Sequence, residues 1–364
     1  MAEQTMDPNI LDDQAAMARA DGDDMLGFEA GFADSVAEGW QISRSLEQPR
    51  KTPTSVAILG MGGSAIGGDL VAGIWSDRLT VPISVIRGYD LPAWVGTETL
   101  VIASSKSGDT EETLSALETA LARRCPVVVV STGGALKTVA EAAGLPLATF
   151  PPQGSPRSAV GYSMAIVAGI LEKAGVLELG DTEIEAAVAV GRGVAATCEP
   201  RVPTADNPAK QLAWSLVDRY AVITAGGFLA PVARRWKAQL NENSKASAAF
   251  EELPEATHNT VVGFEQPESL RDHLFVVLLT SDLEHPRNTL RAQLVGDLLD
   301  TAQILHQFVP ASGESKLGQA LSAIVIGDYV SVYVAFMYAV DPSPIDVIDH
   351  IKEQLSLADQ AAAG

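Results

Sequence analysis

Residues 56–69 read VAILGMGGSAIGGD, and this stretch decides how the fold is interpreted. An apolar run at 56–59 leads into a glycine-rich turn that contains Ser64, and an amphipathic segment follows. Glycine lets a ligand approach the main chain, and the first turn of a helix leaves N–H groups unpaired. A strand followed by such a turn therefore indicates an anion site. The same turn can also serve only to pack a helix on a sheet, and the stretch alone does not decide between the two interpretations.

Strand-like and helix-like segments alternate after this turn. Apolar runs at 83–86, 99–103 and 127–130 are separated by amphipathic segments, and the pattern restarts over 220–240 and 274–301. This alternation predicts parallel sheets covered by helices on both faces. We therefore predict an α/β fold with two doubly wound, parallel-sheet domains. The predicted boundaries are an N-terminal helical segment over 1–50, a first domain over 51–195, a second over 196–340 and a C-terminal helix over 341–364.

The charge of the chain restricts its partners. The sequence has 46 acidic and 25 basic residues, which gives a net charge of −21. A field of this sign repels nucleic acid and anionic membranes, so we expect neither as a partner. Any phosphate site must then be built locally from main-chain amides, hydroxyls and a few basic side chains. The two cysteines form no CxxC pair, which argues against a zinc site or a disulfide framework.

Two apolar stretches raise the question of a membrane. Residues 158–171 are too few to span a bilayer. Residues 317–340 include Gln319 and Asp328, and a helix that is apolar on nearly all sides is more often a buried core helix. The acidic N-terminus also lacks the order of a signal peptide. We expect a soluble, cytoplasmic protein.

A second turn rich in hydroxyl groups follows the strand predicted at 99–103. Residues 104–113 read SSKSGDTEET and include Ser105, Ser107 and Thr110 just before a predicted helix. One hydroxyl followed by a glutamate is what an ordinary capping box requires, but this turn has several. Because the ends of neighbouring parallel strands meet at one edge of a sheet, the two turns are expected to form one phosphate site there.

Two polar stretches in the second half are candidates for acid–base chemistry. Residues 239–245 read QLNENSK, in which the carboxylate of Glu242 is flanked by two asparagines suited to fixing its position as a general base. His258 lies in a loop after a proline, and histidine transfers protons readily near neutral pH. An exposed helix end and a solvated loop histidine are the alternative interpretations.

Five motifs occur in order along the chain: GMGGS at 60–64, SKSGDTEET at 105–113, SPR at 155–157, NENSK at 241–245 and HN at 258–259. In this order the sequence resembles the bifunctional phosphoglucose/phosphomannose isomerases, which are built from two sugar-isomerase (SIS) domains. The resemblance covers residues 56–357 approximately. The first two motifs are common to all SIS domains. NENSK followed by His-Asn, with His258 sixteen residues after Glu242, is much more specific to this family.

The resemblance implies an aldose–ketose isomerase of carbohydrate metabolism that interconverts glucose 6-phosphate or mannose 6-phosphate with fructose 6-phosphate through a cis-enediol. Glu242 would move the proton between C2 and C1, and Arg157 would stabilise the enediolate. His258 would assist ring opening from the partner subunit of a homodimer, and Lys352 resembles a lysine that also acts on the ring oxygen. No metal or redox cofactor is expected. The sugar phosphate would be held by Gly62, Gly63, Ser64, Ser105, Ser107 and Thr110.

Some positions depart from the family pattern, and other functions remain to be weighed. Lys106 and Asp109 replace residues that are more often Tyr and Asn, and Ser343 is taken as the residue that the family links to acceptance of mannose phosphate, which no motif places. The alternative function is a non-catalytic sugar-phosphate-binding regulatory protein, although the sequence has no basic helix-turn-helix segment. An amino-sugar isomerase coupled to a glutaminase is disfavoured because the nucleophilic N-terminal cysteine is missing.

Overall fold

The computed structural model describes residues 9–47 and 51–363 of the chain. Within these residues the strands form two sheets, and every pair of neighbouring strands is parallel. This confirms the predicted α/β class with two parallel sheets flanked by helices.

The first sheet has the strand order β2-β1-β3-β4-β5. The order reverses between β1 and β3, as in doubly wound folds, and this is the place where such sheets bind ligands. Its strands are β1 (Ser55–Leu59), β2 (Ile83–Ile86), β3 (Thr99–Ser104), β4 (Val127–Val130) and β5 (Leu147–Ala148). The helices among and after them are α4 (Gly62–Ile74), α5 (Glu111–Ala122), α6 (Gly134–Ala143) and α7 (Val160–Lys173).

The second sheet has the strand order β7-β6-β8-β9. Its strands are β6 (Tyr220–Gly226), β7 (Ala248–Leu253), β8 (Leu274–Thr280) and β9 (Leu305–Pro310). The helices of this half are α10 (Ala230–Glu242), α11 (Pro286–Thr301) and α12 (Lys316–Met337). A last helix, α13 (Asp346–Ala363), projects from the body, and its described side chains are exposed.

The predicted N-terminal helical segment forms α1 (Gln14–Ala20), α2 (Met25–Ala30) and α3 (Phe32–Arg44), while residues 1–8 and 48–50 lie outside the described residues. Two further helices, α8 (Asp181–Cys198) and α9 (Pro208–Leu216), connect the two sheets. They occupy a region in which the sequence predicted no element. The boundaries between domains stay a prediction.

A layer of helices between the two sheets carries the main core. Helix α4 packs against α7 and α10, α10 packs against α12, and α3 and α8 cover α7 and α12 respectively. Alternation along the strands divides the first sheet: Val56 and Ile58 of β1 face this layer, while Ala57 and Leu59 face a smaller core under α5 and α6. Because β1 is packed on both faces, the turn that follows its carboxyl end is held in a fixed position.

Helix α12 is the apolar stretch that raised the question of a membrane. Among the described residues it alone is long and apolar enough to cross a bilayer, but nearly all of it is buried inside the protein. The prediction of a buried core helix is confirmed. Asp328, in the middle of this helix, is also fully buried, so its carboxylate must find partners inside the protein.

Candidate active site

The two glycine- and hydroxyl-rich turns meet at one edge of the first sheet, as predicted. Strands β1 and β3 pair side by side, with Leu59 opposite Ala103. A Cβ atom placed on Gly60 would lie 2.9 Å from the carbonyl oxygen of Ser104 and 3.3 Å from the Cβ of Ser64. Any larger residue at position 60 would therefore push the two turns apart. With glycine there, the Ser64 side chain lies close to the start of the second turn.

The hydroxyls of the second turn bond to each other rather than cap the helix. The Oγ of Ser105 lies 2.8 Å from the Oγ1 of Thr110 and 3.4 Å from the Oγ of Ser107. Thr110 is the N-cap of α5 but accepts no bond from the helix amides, and Met61 at the start of α4 likewise provides no side-chain cap. The ordinary capping box is thus not formed, and two helix N-termini are left without a side-chain cap. This arrangement suits an anion.

The two departures in this turn have structural partners. The ammonium of Lys106 donates to the carbonyl oxygens of Pro152 and Gly154, each at 2.6 Å, so it ties the turn to the segment before Arg157. Burial lowers the pKa of Lys106. The Oδ1 of Asp109 accepts a bond of 2.8 Å from the amide of Ala135 in the first turn of α6. Both side chains therefore act in holding the neighbouring segments in place.

Arg157 reaches the same edge from the short 3₁₀ helix Pro156–Ala159. A Cβ on Gly63 would lie 2.4 Å from the carbonyl oxygen of Pro156, so glycine at 63 allows this helix to approach the first turn. Arg157 is only 2% exposed. Its Nη2 donates to the carbonyl oxygens of Pro342 (2.8 Å) and Ser343 (2.9 Å). Burial lowers the pKa of Arg157, and the carboxylate of Glu242 opposes that shift.

Glu242 is the last residue of α10, and its side chain is 25% exposed. Its Oε2 lies 3.4 Å from the Nη1 of Arg157, a long ion pair that a ligand can enter. Asn243 accepts a bond from the Nε of Arg157 and donates to Ser331, so it fixes the arginine. The expectation that the two asparagines fix Glu242 is wrong, because no hydrogen bond joins either of them to its carboxylate among the described residues. The amide of Asn241 donates to the carbonyl oxygen of Ala246 instead, and Asn243 acts on Arg157.

A cavity of about 200 Å³ joins the first turn to Glu242. Its lining contains five basic side chains and one acidic one, in a chain whose net charge is −21. Asp69, beside the cavity, pairs with Arg87 and lies 3.7 Å from Arg234, so two of the five cations share one carboxylate. The local positive field that the sequence analysis required for a phosphate is present. The lining residues are Gly62, Gly63, Ile66, Arg87, Arg157, Arg234, Arg235, Lys237, Ala238, Gln239, Glu242 and Phe250.

A buried polar cluster lies behind this cavity. Arg235 donates to the carboxylate of Asp328 at 2.7 Å and to the main-chain carbonyl of Arg157 at 3.1 Å. Gln239 donates to both Asp328 and Glu29. Burial and the negative charge of Asp328 raise the pKa of Glu29 well above its usual range, so the folded protein favours the protonated form of this side chain.

This protonation predicts how stability depends on pH. Below the ordinary pKa of 4.5 both the folded and the unfolded chain carry the Glu29 proton, but above it only the folded chain does. The wild-type protein therefore loses stability as the pH rises between the unfolded and folded pKa values. Over that range the free energy of unfolding of Glu29→Gln should rise relative to that of the wild type by up to about 1.4 kcal/mol per pH unit. Urea unfolding at pH 5, 6 and 7 measures this, and a difference that is constant with pH would contradict it.

His258 and Lys352 are not brought to this cavity by the single chain. His258 is exposed, in the 3₁₀ helix Glu255–His258 after the edge strand β7, and its side chain forms no hydrogen bond with any described residue. Lys352 is exposed on α13, where its Nζ lies 3.4 Å from Asp349. Neither residue lines the cavity. Their predicted roles stay predictions.

Sequence reasoning did not identify Glu29, Arg235, Gln239 or Arg87 as residues of the site. One signal pointed to the first three: an acid, Asp328, in an otherwise apolar helix needs a buried partner, and no such signal existed for Arg87. Sequence cannot name that partner. Among the described residues, no group of three or more His, Cys, Asp or Glu side chains is arranged to hold a metal ion.

Comparison with known proteins agrees with this architecture. Residues 205–355 match the model of the bacterial phospho-glucose isomerase C-terminal SIS domain. A hypothetical protein from Thermus thermophilus, TT0462, superposes with a TM-score of 0.75 over 96% of this chain and 94% of its own, at 16% identity. That likeness shows the fold alone. The two sheets and the turns at their edge thus define a protein of the SIS class.

Two curated relatives extend over most of the chain. The bifunctional phosphoglucose/phosphomannose isomerase of Caldicellulosiruptor bescii is 37% identical over 326 residues, which cover 89% of this chain and 96% of the relative. The protein of the same name from Aquifex aeolicus is 32% identical over 325 residues, which cover 88% and 97%. The chain belongs to the bifunctional phosphoglucose/phosphomannose isomerase family.

Proposed function

We propose that this protein is an aldose–ketose isomerase that interconverts glucose 6-phosphate and mannose 6-phosphate with fructose 6-phosphate through a cis-enediol. The observation that carries the proposal is the 3.4 Å approach of the Glu242 carboxylate to the Arg157 guanidinium in a cationic cavity next to the turn of Ser64. Isomerisation requires one carboxylate that shuttles a proton and one cation beside the oxygen that becomes negative. Both groups are present.

The phosphate end of the sugar is assigned to the two turns. Gly62 and Gly63 offer main-chain amides at the start of α4, and the hydroxyls of Ser64, Ser105, Ser107 and Thr110 add donors. A phosphate held there orients the reacting carbons towards Glu242, so remote binding energy serves the chemical step.

The reacting end is assigned to α10 and the 3₁₀ helix. Glu242 removes the proton from C2 and returns it to C1 on the same face of the planar enediol. Arg157 is fixed through Nε and Nη2, so Nη1 is the group available to the developing enediolate oxygen. Because guanidinium stays charged even when buried, it can stabilise that oxygen at neutral pH. The main-chain carbonyl of Ser343 holds Arg157, and Ser343 is proposed to affect the choice between C2 epimers through this contact.

The assembly is proposed to be a cytoplasmic homodimer that acts in glycolysis and gluconeogenesis. An exposed His258 with no hydrogen-bond partner in the described part of its own chain is suited to enter a neighbouring subunit's cavity and to protonate the ring oxygen. Lys352 is proposed to act on the same oxygen, which requires α13 to bring it to a cavity that it does not line in the single chain. This arrangement makes each active site depend on two chains.

A coupled assay tests the proposal. Purified protein is supplied separately with glucose 6-phosphate, mannose 6-phosphate and glucosamine 6-phosphate, and fructose 6-phosphate is detected. Turnover of the first two supports the proposed activity, and turnover of the third alone would favour an amino-sugar isomerase. Binding of the sugar phosphates without turnover would favour the regulatory alternative. That alternative does not explain why Glu242 and Arg157 converge beside the phosphate turns.

The shared site predicts complementation between inactive subunits. Glu242→Gln and His258→Ala proteins, each poorly active alone, should regain about a quarter of wild-type activity after unfolding and refolding together as an equal mixture, because half of the dimers then contain one intact site. The activity of the mixture is compared with that of each parent refolded alone. No gain on mixing would place His258 in the site of its own chain or outside any site.

A further inference from the structure

Gln239 lies beside the catalytic carboxylate but has no part in the mechanism above. It precedes Glu242 by three residues on α10, so the two side chains are neighbours on one helix face. Both line the cavity, together with Arg157. Gln239 is 1% exposed, and a polar side chain buried to this degree needs partners for both ends of its amide.

The nitrogen end of the amide is fully used. Its Nε2 donates to the Oδ1 of Asp328 at 3.0 Å and to the Oε1 of Glu29 at 3.2 Å. The reverse orientation would place the amide oxygen, an acceptor, against the acceptor oxygens of the Asp328 carboxylate, which pairs with Arg235 at 2.7 Å. The orientation of the amide is therefore determined by its neighbours.

The oxygen end of the Gln239 amide is available as a hydrogen-bond acceptor. No donor among the described residues bonds to the Oε1 of Gln239. The atom is nevertheless not fully enclosed, so a ligand can reach it. It opens on the cavity that the side chain lines. A fixed acceptor in this position is suited to a hydroxyl group, which donates, and not to a phosphate.

The cluster that fixes Gln239 also joins distant parts of the chain. Glu29 comes from α2 in the N-terminal segment, and Asp328 comes from α12. Asp328 also holds Arg235, which bonds to the carbonyl of Arg157. One buried carboxylate thus orients the amide of Gln239 and, through Arg235, the main chain of Arg157.

We propose that Gln239 is a specificity-determining residue whose amide oxygen accepts a hydrogen bond from the C3 or C4 hydroxyl of the open-chain sugar. The inference rests on the proposed isomerase function. The hydroxyls at C3 and C4 are next along the chain from C1 and C2, on which Glu242 acts, and Gln239 is one helical turn from Glu242. Asp328 and Glu29 are positioning residues for this contact. A site that bonds a substrate hydroxyl discriminates against analogues without it.

The test compares Gln239→Met with wild type on glucose 6-phosphate and on its 3-deoxy and 4-deoxy analogues. The substitution should lower kcat/KM for glucose 6-phosphate by about tenfold, the value of one net hydrogen bond. With one of the two deoxy analogues the same substitution should change kcat/KM by less than about twofold, because the hydroxyl partner is already missing. An equal loss on all three substrates, or no loss on any, would overturn the proposal.

Two further variants keep the outcome interpretable. Gln211→Met changes an exposed glutamine on α9 that bonds only to main-chain carbonyls, and it should leave all three kcat/KM values unchanged. If Gln239→Met does not fold, Gln239→Asn keeps the amide but withdraws its oxygen, and it should show the same analogue-specific pattern. Wild-type turnover of glucose 6-phosphate separates failure of this inference from failure of the proposed function, since only the latter abolishes that turnover.

Discussion

Glu242→Gln should lower kcat for glucose 6-phosphate by about a thousandfold and leave the Kd of the sugar phosphate within a few-fold of wild type. Glutamine has the shape of glutamate and keeps an oxygen for the Nη1 of Arg157, which lies 3.4 Å away in the wild type. It cannot take a proton from C2. The phosphate turns, on α4 and α5, are untouched by the change. Steady-state kinetics and calorimetric titration measure the two quantities.

Exchange of the C2 proton with solvent gives a second readout for the same variant. Wild-type protein in deuterated water should place deuterium in both substrate and product, while Glu242→Gln should show no exchange on the same timescale. Glu118→Gln, an exposed glutamate on α5, is the matched control and should behave as wild type. A Glu242→Gln protein with near-normal kcat would remove this carboxylate from the proposed mechanism.

The buried parts of the fold were predictable because their patterns are strong. Strand β4 has the bounds of the apolar run predicted at 127–130, since it is a short, fully buried apolar run followed by turn residues. Edge strands β7 and β9 were missed, because a pair of polar residues interrupts each of them, Glu251–Glu252 in β7 and His306–Gln307 in β9. Helix α8 was missed for another reason: much of its buried face is small, with Ala187, Gly191 and Ala195.

The motifs of the site were predictable from the sequence, but the buried residues that hold them in place were not. Two turns at the ends of paired strands must meet, so the meeting of Ser64 with the second turn follows from topology alone. The pairing of Arg235 with Asp328 joins residues 93 positions apart, and no local pattern encodes it. The role of His258 depends on a second chain. Contacts of high sequence separation, and contacts between subunits, are decided by packing.

That packing predicts a large effect for the most conservative change at Arg157. Arg157→Lys keeps the positive charge, but one ammonium group cannot replace the bonds that Nε and Nη2 make with Asn243, Pro342 and Ser343. The remaining cation will not be held at the position of Nη1 beside Glu242. We expect kcat to fall by about a hundredfold or more, the typical cost of removing one oriented group that stabilises an oxyanion.

A transition-state analogue separates this effect from a simple loss of substrate binding. 5-Phosphoarabinonate carries a planar carboxylate where the enediolate forms, so its affinity should fall by about the same factor as kcat/KM in Arg157→Lys. Arg192→Lys changes an exposed arginine paired with Asp34 on the surface, and it should alter neither quantity. If Arg157→Lys raises KM with unchanged kcat, and weakens substrate and analogue equally, Arg157 contributes only uniform binding and the enediolate is stabilised by another group.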